Sequence, residues 1–150
     1  GMQIALIEFA NNCLHLEKAN STEFDPETPY KIIDYLPDQY KGIKMGGTMR
    51  LGNYECKLAL GSKVHELYKT DLIVERHRHR YEFNNEFKSQ FEEKGMVFSG
   101  INPQTNLCEI IELKDHPFFV ACQFHPEFKS RPLDPHPLFV GLLEASIKHE

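Results

Sequence analysis

The chain has 150 residues, of which 41% are hydrophobic and 26% charged, so its composition is that of a folded globular domain and excludes a disordered or collagen-like chain. Its 17 Lys and Arg against 22 Asp and Glu give a net charge of −5, which excludes the general attraction of basic proteins to nucleic acid and anionic lipid. The four cysteines form no CxxC pair and no apolar run is long enough to cross a bilayer, so we expect a reduced, cytoplasmic protein with no nucleic-acid or membrane partner.

Helical spacing dominates the start of the chain. Apolar residues at steps of three and four predict a buried helix over 2–16. No capping Ser, Thr, Asp or Asn precedes Met2, so we expect the chain to begin inside a longer domain. Polar residues and two prolines then predict a loop over 18–29. The next predicted elements are short strands over 31–36 and 54–60, a glycine turn at 46–47 and a helical turn over 64–68.

The second half alternates strands and helices. An unusually polar segment, ERHRHRYEF, is read as a strand that ends at Phe83, and helical spacing returns over 84–94. Two short β-type runs, separated by Asn and Pro, predict a hairpin over 97–113. The run FFVACQF over 118–124 predicts a strand buried on both faces, and an amphipathic helix is expected to close the chain from 138 to 147. This alternation predicts an α/β layered architecture.

The stretch FHPEF carries the strongest chemical signal. His125 stands where an apolar run stops, and Glu127 follows a turn-forming proline. A carboxylate in that place can hold one ring nitrogen and leave the other to handle a substrate proton. The alternative is a solvent-facing turn with no chemical role. None of the four cysteines has the setting of a nucleophile, so each is interpreted as a structural thiol.

The segment RHRHR allows three interpretations. In a strand, His77 and His79 share one face and the three arginines share the other. A zinc site is not expected because the sequence offers no third ligand near the two histidines, so we predict no metal. Nucleic-acid binding conflicts with the net charge. An arginine that grips a carboxylate fits better, and Glu23 in the loop NSTEF would then hold an ammonium, as amino-acid recognition requires.

Six stretches together closely resemble one protein family: GMQ, NSTEF, GGTMRLG, ERHRHRYE, HPFFVACQFHPEF and DPHPLFVGLL. The family is the glutamine amidotransferase domain of the CTP synthases, within the triad glutaminases. The resemblance implies a flavodoxin-like layered α/β sheet that lacks its amino-terminal strands here. Residues 1–150 would be the carboxyl-terminal part of a single glutamine amidotransferase domain.

The resemblance also implies roles for particular residues. A cysteine just before Gly1 would attack the amide carbon of glutamine, with His125 and Glu127 as the other triad members. Glutamine would be bound by Gly1, Met2, Gln3, Glu23, Arg80 and Tyr81. His77 and His79 receive no role from the family.

The family further implies partners for the intact protein. Ammonia from L-glutamine would pass to an amino-terminal synthetase domain, where ATP and Mg²⁺ support the amination of UTP to CTP. GTP activation and a homotetramer belong to the same expectation, and no cofactor is expected in this chain. Two alternatives stay open at this stage: a non-catalytic binding or regulatory module built on the same scaffold, and a histidine-based metal protein.

Overall fold

The computed structural model describes residues 1–35 and 49–149, so the predicted glycine turn at 46–47 lies outside the described residues. The helices are α1 (Met2–Asn12), α2 (Lys63–Tyr68), α3 (Lys88–Glu93) and α4 (Pro137–Lys148). The strands are β1 (Asn20–Ser21), β2 (Lys31–Tyr35), β3 (Arg50–Leu58), β4 (Leu72–His79), β5 (Tyr81–Phe83), β6 (Met96–Ile101), β7 (Cys108–Leu113) and β8 (Val120–Cys122). Short 3₁₀ turns lie at Asn85–Phe87 and Pro126–Phe128 in the described part of the chain.

The strands form two sheets. The larger has the order β4-β3-β6-β7-β8, and every neighbouring pair in it is antiparallel. The smaller has the order β1-β2-β5, in which β1 and β2 run parallel and β2 and β5 antiparallel. The α/β class is confirmed. The alternation of helices and strands along the chain did not predict that the main sheet is antiparallel.

Apolar side chains cover the larger sheet on both faces because neighbouring strand residues point in opposite directions. Ile111 belongs to a core built with α1, α3 and the smaller sheet, where the rings of Phe9 and Phe91 stack at 5.4 Å. Ile110, one residue earlier, belongs to a second core that includes Val64 of α2 and Leu138 of α4. The main sheet is therefore the middle layer between two apolar layers.

Most of the expected elements are present. The first helix is confirmed, although it ends at Asn12 and not at 16, and the strand predicted over 31–36 is confirmed for Lys31–Tyr35, the part that is described. The hairpin of β6 and β7 and the closing helix are also confirmed. In β4 the alternation is also confirmed, since His77 is buried and Arg76 and Arg78 are exposed.

The prediction for 118–124 was wrong in length and in burial. Only Val120–Cys122 form a strand, and all three residues are half-buried. The physical reason is position: β8 is at the edge of the main sheet and pairs only with β7, so it cannot be enclosed like a central strand. The apolar stripe of α4 is similarly open, with Leu143 65% and Ile147 71% exposed.

Candidate active site

A hydrogen-bonded histidine and carboxylate follow the last strand. After β8 ends, the 3₁₀ turn at Pro126–Phe128 folds the chain back, so that Glu127 Oε1 lies 2.7 Å from His125 Nδ1. Both side chains are partly open to solvent. With Nδ1 engaged, Nε2 is the ring nitrogen available to a substrate, which is the arrangement expected of a general acid/base and its orienting carboxylate.

This turn is fastened to β4, the strand that carries RHRHR. The backbone N–H of His125 donates to the carbonyl of Arg76 at 2.9 Å, and Lys129 Nζ donates to the carbonyl of Val74. The imidazole of His125 also stacks on Phe128, with ring centroids 4.9 Å apart. The contacts hold the ring in place from both sides of the turn. The sequence did not predict that the FHPEF turn and the RHRHR strand lie next to each other.

The charge of Glu127 is stabilised by the same geometry. Burial acts to raise the pKa of this carboxyl, but the hydrogen bond with His125 and the turn's backbone N–H outweigh it, so the pKa is lowered overall. Glu127 therefore remains ionised at neutral pH. An ionised partner stabilises the imidazolium form of His125 when that ring accepts a proton.

A second centre is the carbonyl oxygen of Tyr81, which three side chains approach. Gln3 Nε2 and Gln123 Nε2 each donate to it at 3.1 Å, and His79 Nδ1 lies 3.2 Å away. This oxygen therefore joins the start of α1, the end of β8 and the end of β4. Because these three side chains already occupy the lone pairs of the Tyr81 carbonyl oxygen, any contact of Tyr81 with a substrate has to come from another of its atoms. Sequence reasoning named Gln3 and Tyr81 but missed Gln123 and a role for His79.

The first residues of the chain lie near the histidine turn. The thiol of Cys122 lies near enough to the nitrogen of Gly1 and to the carboxylate of Glu127 for both to act on it electrostatically. Gly1 is the exposed N-cap of α1, whereas the side chain of Met2 is 3% exposed in the core. Only the backbone of Met2 is therefore positioned to meet a substrate.

Glu23 and Arg80 are exposed and of opposite charge, and both act on the phenol of Tyr81. Burial raises the pKa of this phenol, as do its hydrogen bond to Tyr35 at 2.7 Å and the charge of Glu23, whereas Arg80 lowers it. Both charges are therefore near enough to Tyr81 to act on its phenol. That Glu23 and Arg80 together hold an amino-acid substrate stays a prediction.

All four cysteines are free thiols. Burial raises the pKa of Cys56 and of Cys108 well above the usual range, and it raises that of Cys122, the thiol near the histidine turn, to about 12. A thiol with so high a pKa is almost entirely protonated at neutral pH and is a poor nucleophile. Cys13 is exposed at the end of α1.

The reason given above for expecting no metal was wrong. Glu109 of β7 supplies the third candidate ligand, and ligand atoms of His77, His79 and Glu109 lie within 4.8 Å of one another. However, Arg50 donates to Glu109 Oε1 at 2.7 Å, and ring nitrogens of His77 and His79 lie 2.8 Å apart. A guanidinium at the site repels a cation, and the contact between the rings occupies two nitrogens. That no metal binds stays a prediction, now for these reasons.

An α/β fold with a histidine oriented by a carboxylate after a sheet strand is the arrangement used by enzymes that catalyse acyl transfer with a histidine-activated nucleophile. Residues 1–145 match the glutamine amidotransferase class-I family. The chain belongs to this family.

Close relatives share one name. The CTP synthase of Bacillus subtilis strain 168 is 60% identical over 148 residues, which are 99% of this chain and 28% of that protein. The CTP synthase of Aquifex aeolicus strain VF5 is 55% identical over 150 residues, covering 100% of this chain and 28% of that protein. The chain thus spans little more than a quarter of the length of these curated relatives.

A solved structure shows the same fold. The glutaminase domain of Trypanosoma brucei CTPS with bound acivicin superposes with a TM-score of 0.91 at 34% identity, covering 99% of this chain and 58% of that chain. The resemblance inferred from the sequence motifs is confirmed. Across residues 1–35 and 49–149, no helix combines the length and apolar character needed to cross a membrane.

Proposed function

We propose that this chain is the carboxyl-terminal part of the glutaminase domain of a CTP synthase and that it takes part in hydrolysing L-glutamine to glutamate and ammonia. One observation carries the proposal: Glu127 holds His125 by Nδ1, which leaves Nε2 to exchange protons with a substrate. Membership of the amidotransferase family supplies the reaction in which such a pair acts.

The reaction needs a nucleophile that none of the four cysteines provides. In the proposed reaction the nucleophile is the cysteine of a Cys-Leu pair before Gly1, as the family resemblance implies. His125 Nε2 takes the thiol proton as sulfur attacks the amide carbon, and Glu127 stabilises the imidazolium. The proton passes to the leaving nitrogen, ammonia departs and a thioester remains. His125 then takes a proton from water, which cleaves the thioester to glutamate and returns the thiol.

Recognition of glutamine follows from the charges near Tyr81. Arg80 would bind the α-carboxylate through its guanidinium fork, and Glu23 would bind the α-ammonium. Gln3 and the backbone of Gly1 and Met2 would line the same site. The exposure of Glu23 and Arg80 supports this role, since neither has to give up a buried partner to meet a substrate.

In the natural gene product, the ammonia would be used by an amino-terminal synthetase domain for the amination of UTP to CTP with ATP and Mg²⁺. GTP as activator and a homotetrameric assembly complete the proposal. These parts depend on the CTP synthase relatives, of which this chain covers about 28%.

The experiment compares two ammonia sources in the natural gene product. His125→Ala should lower glutamine-dependent CTP synthesis at least about a hundredfold, because general acid–base catalysis is lost, while synthesis from added ammonium is unchanged. His65→Ala is the matched control, since His65 lies on α2 and pairs with the exposed Asp71 beyond that helix. Full glutamine-dependent activity in His125→Ala would refute the assignment.

A second comparison tests recognition. Removing Glu23 or the charge of Arg80 should raise the KM for glutamine about tenfold or more, with synthesis from ammonium retained. Loss of both activities would mean misfolding rather than a binding role. Reading the encoding gene before Gly1 separates the enzyme from a non-catalytic module: we expect Cys-Leu, and another residue at the cysteine position would favour the binding module.

A further inference from the structure

A buried carboxylate lies beside the turn of His125 and has no part in the proposed reaction. Glu75 on β4 is 2% exposed, and it comes directly before Arg76, whose carbonyl accepts the backbone N–H of His125. Burying a carboxylate is costly unless donors or cations surround it. The groups that surround Glu75 therefore show what it holds in place.

One oxygen of Glu75 accepts hydrogen bonds from two side chains. The hydroxyl of Tyr68, at the end of α2, donates to Glu75 Oε1 at 3.0 Å, and His136 Nε2 lies 3.1 Å from the same oxygen. The tautomer of His136 follows from its other nitrogen, because Nδ1 accepts the backbone N–H of Leu138 as the N-cap of α4. The ring proton is therefore on Nε2, from which His136 donates it to Glu75.

The other oxygen of Glu75 faces the chain that leaves the turn of His125. Lys129 is the C-cap of the 3₁₀ turn at Pro126–Phe128, and its Nζ lies 3.7 Å from Glu75 Oε2. This distance is that of an ion pair and not of a hydrogen bond, and the ammonium also donates to the carbonyl of Val74. Glu75 Oε2 has no hydrogen-bond partner among the described residues, so the ammonium supplies the charge that a buried carboxylate requires.

The segment from 129 to 136 forms a closed loop. The backbone N–H of His136 donates to Ser130 Oγ at 3.1 Å, and a pair of backbone hydrogen bonds closes the loop inside this contact. Its two ends, Lys129 and His136, both meet Glu75. Because the loop begins where the turn of His125 ends, a change at Glu75 is passed to that turn.

Three consecutive residues of β4 thus meet the turn. The carbonyls of Val74 and Arg76, two residues apart on one edge of the strand, accept from it, and Glu75 acts through its carboxylate. The guanidinium of Arg76 also lies 5.8 Å from the ring centroid of Phe128, the ring on which His125 stacks. The position of the His125 imidazole therefore depends on β4 and not on its own turn alone.

We propose that Glu75 is a positioning residue of the glutaminase reaction: it holds the loop of residues 129–136 at both ends and thereby keeps His125 within reach of the substrate. The inference rests on the proposed function, in which His125 is the general acid and base. Glu75 touches no reacting atom in that reaction. Its effect should be on kcat and not on the binding of glutamine, since proton transfer depends on the distance of the base.

The kinetic test uses the natural gene product, with glutamine and then ammonium as the nitrogen source. Lys129→Met removes the ammonium and should lower kcat with glutamine about tenfold, with KM within about twofold and synthesis from ammonium unchanged. Lys129→Arg keeps the charge and should recover most of this loss. Lys94→Met, at the exposed end of α3, is the control. A kcat for Lys129→Met equal to that of the unmodified protein would overturn the proposal.

A double variant tests whether Lys129 acts through Glu75. Glu75→Gln keeps an acceptor for the two donors at Oε1 but loses the charge that attracts Lys129, so it should lower kcat about fivefold. In the Lys129→Met protein the same change should have less than about a twofold effect, because the contact is already absent. Effects that multiply, to about fiftyfold together, would show that the two residues act independently and would overturn the proposal. Lys129 is 45% exposed, so its own variants remain a test even where Glu75→Gln fails to fold.

Hydrogen–deuterium exchange separates this inference from the proposed function. In the Lys129→Met protein, peptides that span residues 125–130 should exchange at least about threefold faster than in the parent, while peptides of α4 keep their rate. An unchanged rate for the turn would overturn the proposal whether or not the protein hydrolyses glutamine. Faster exchange of the turn, together with full glutamine-dependent activity in His125→Ala, would refute the role of His125 and not the hold of Glu75 on the turn.

Discussion

Burial of the Glu82 carboxyl on β5 should be measurable as a dependence of stability on pH. The carboxyl has an ordinary pKa of 4.5 when exposed, and burial raises its pKa in the folded protein to about 8 despite the charge of Arg50. Between these two pKa values the folded state holds a proton that the unfolded state has released. The stability that Glu82 contributes is therefore present at low pH and is lost as the pH rises toward the folded-state pKa, by about 1.4 kcal/mol per pH unit.

Glu82→Gln removes this proton from the comparison and keeps the neutral shape. The melting temperature of the variant, minus that of the parent, should therefore rise with pH, by about 3–6 °C per unit for a domain of this size. Glu82 is buried, at 3% exposed, so screening by solvent does little to reduce the effect.

The assay is thermal unfolding, followed by circular dichroism at a series of pH values from about 5.5 to 7.5, a window above the ordinary pKa of Glu. Glu93→Gln, on the exposed side of α3, is the matched control and should show a nearly constant difference across the series. A constant difference for Glu82→Gln would mean that Glu82 is ionised in the folded protein across this window, and the reasoning from its burial would be refuted.

Two further substitutions test the packing around the sheet. In Gly100→Ala the new Cβ would lie 2.6 Å from Ile110 Cγ1, so overpacking should cost about 1–3 kcal/mol. Ser99→Ala is the control and should be neutral, because within 1–35 and 49–149 the buried Ser99 hydroxyl has no hydrogen-bond partner. Equal melting temperatures for the parent and both variants would contradict the overpacking. His136→Ala removes both the N-cap of α4 and a hydrogen bond to the buried Glu75, so the free energy of unfolding in denaturant should fall by about 2–4 kcal/mol. His136→Asn should restore the cap but not the bond to Glu75. An Ala variant as stable as the parent would refute both stabilising contacts of His136.

The elements that could be predicted are those whose signal is local. Alternation in RHRHR correctly separated a buried histidine face from an exposed arginine face, because successive side chains of a strand point to opposite sides. The hairpin over 97–113 had turn residues at the right spacing. The pair of His125 and Glu127 could also be found, since only one proline separates them and the contact spans a single turn.

The features that could not be predicted depend on strand order. Glu109 lies 32 residues beyond His77 in the sequence, and only the pairing of β3 with both β4 and β6, and of β6 with β7, brings the two together. Periodicity does not encode that order. The apolar run over 118–124 failed for the same reason, because the composition of a strand does not show whether it is central or at an edge.

Strand β4 connects the turn that carries His125 with the residues around the carbonyl of Tyr81. Its backbone holds the turn of His125 through the carbonyl of Arg76, and the ring of His79 at its end lies 3.2 Å from the carbonyl oxygen of Tyr81. The proposed general base and the residues proposed to bind glutamine are thus positioned by the same strand. A change that shifts β4 should alter KM and kcat together, whereas a change confined to His79 should act on KM alone, and this contrast distinguishes positioning of the substrate from positioning of the base.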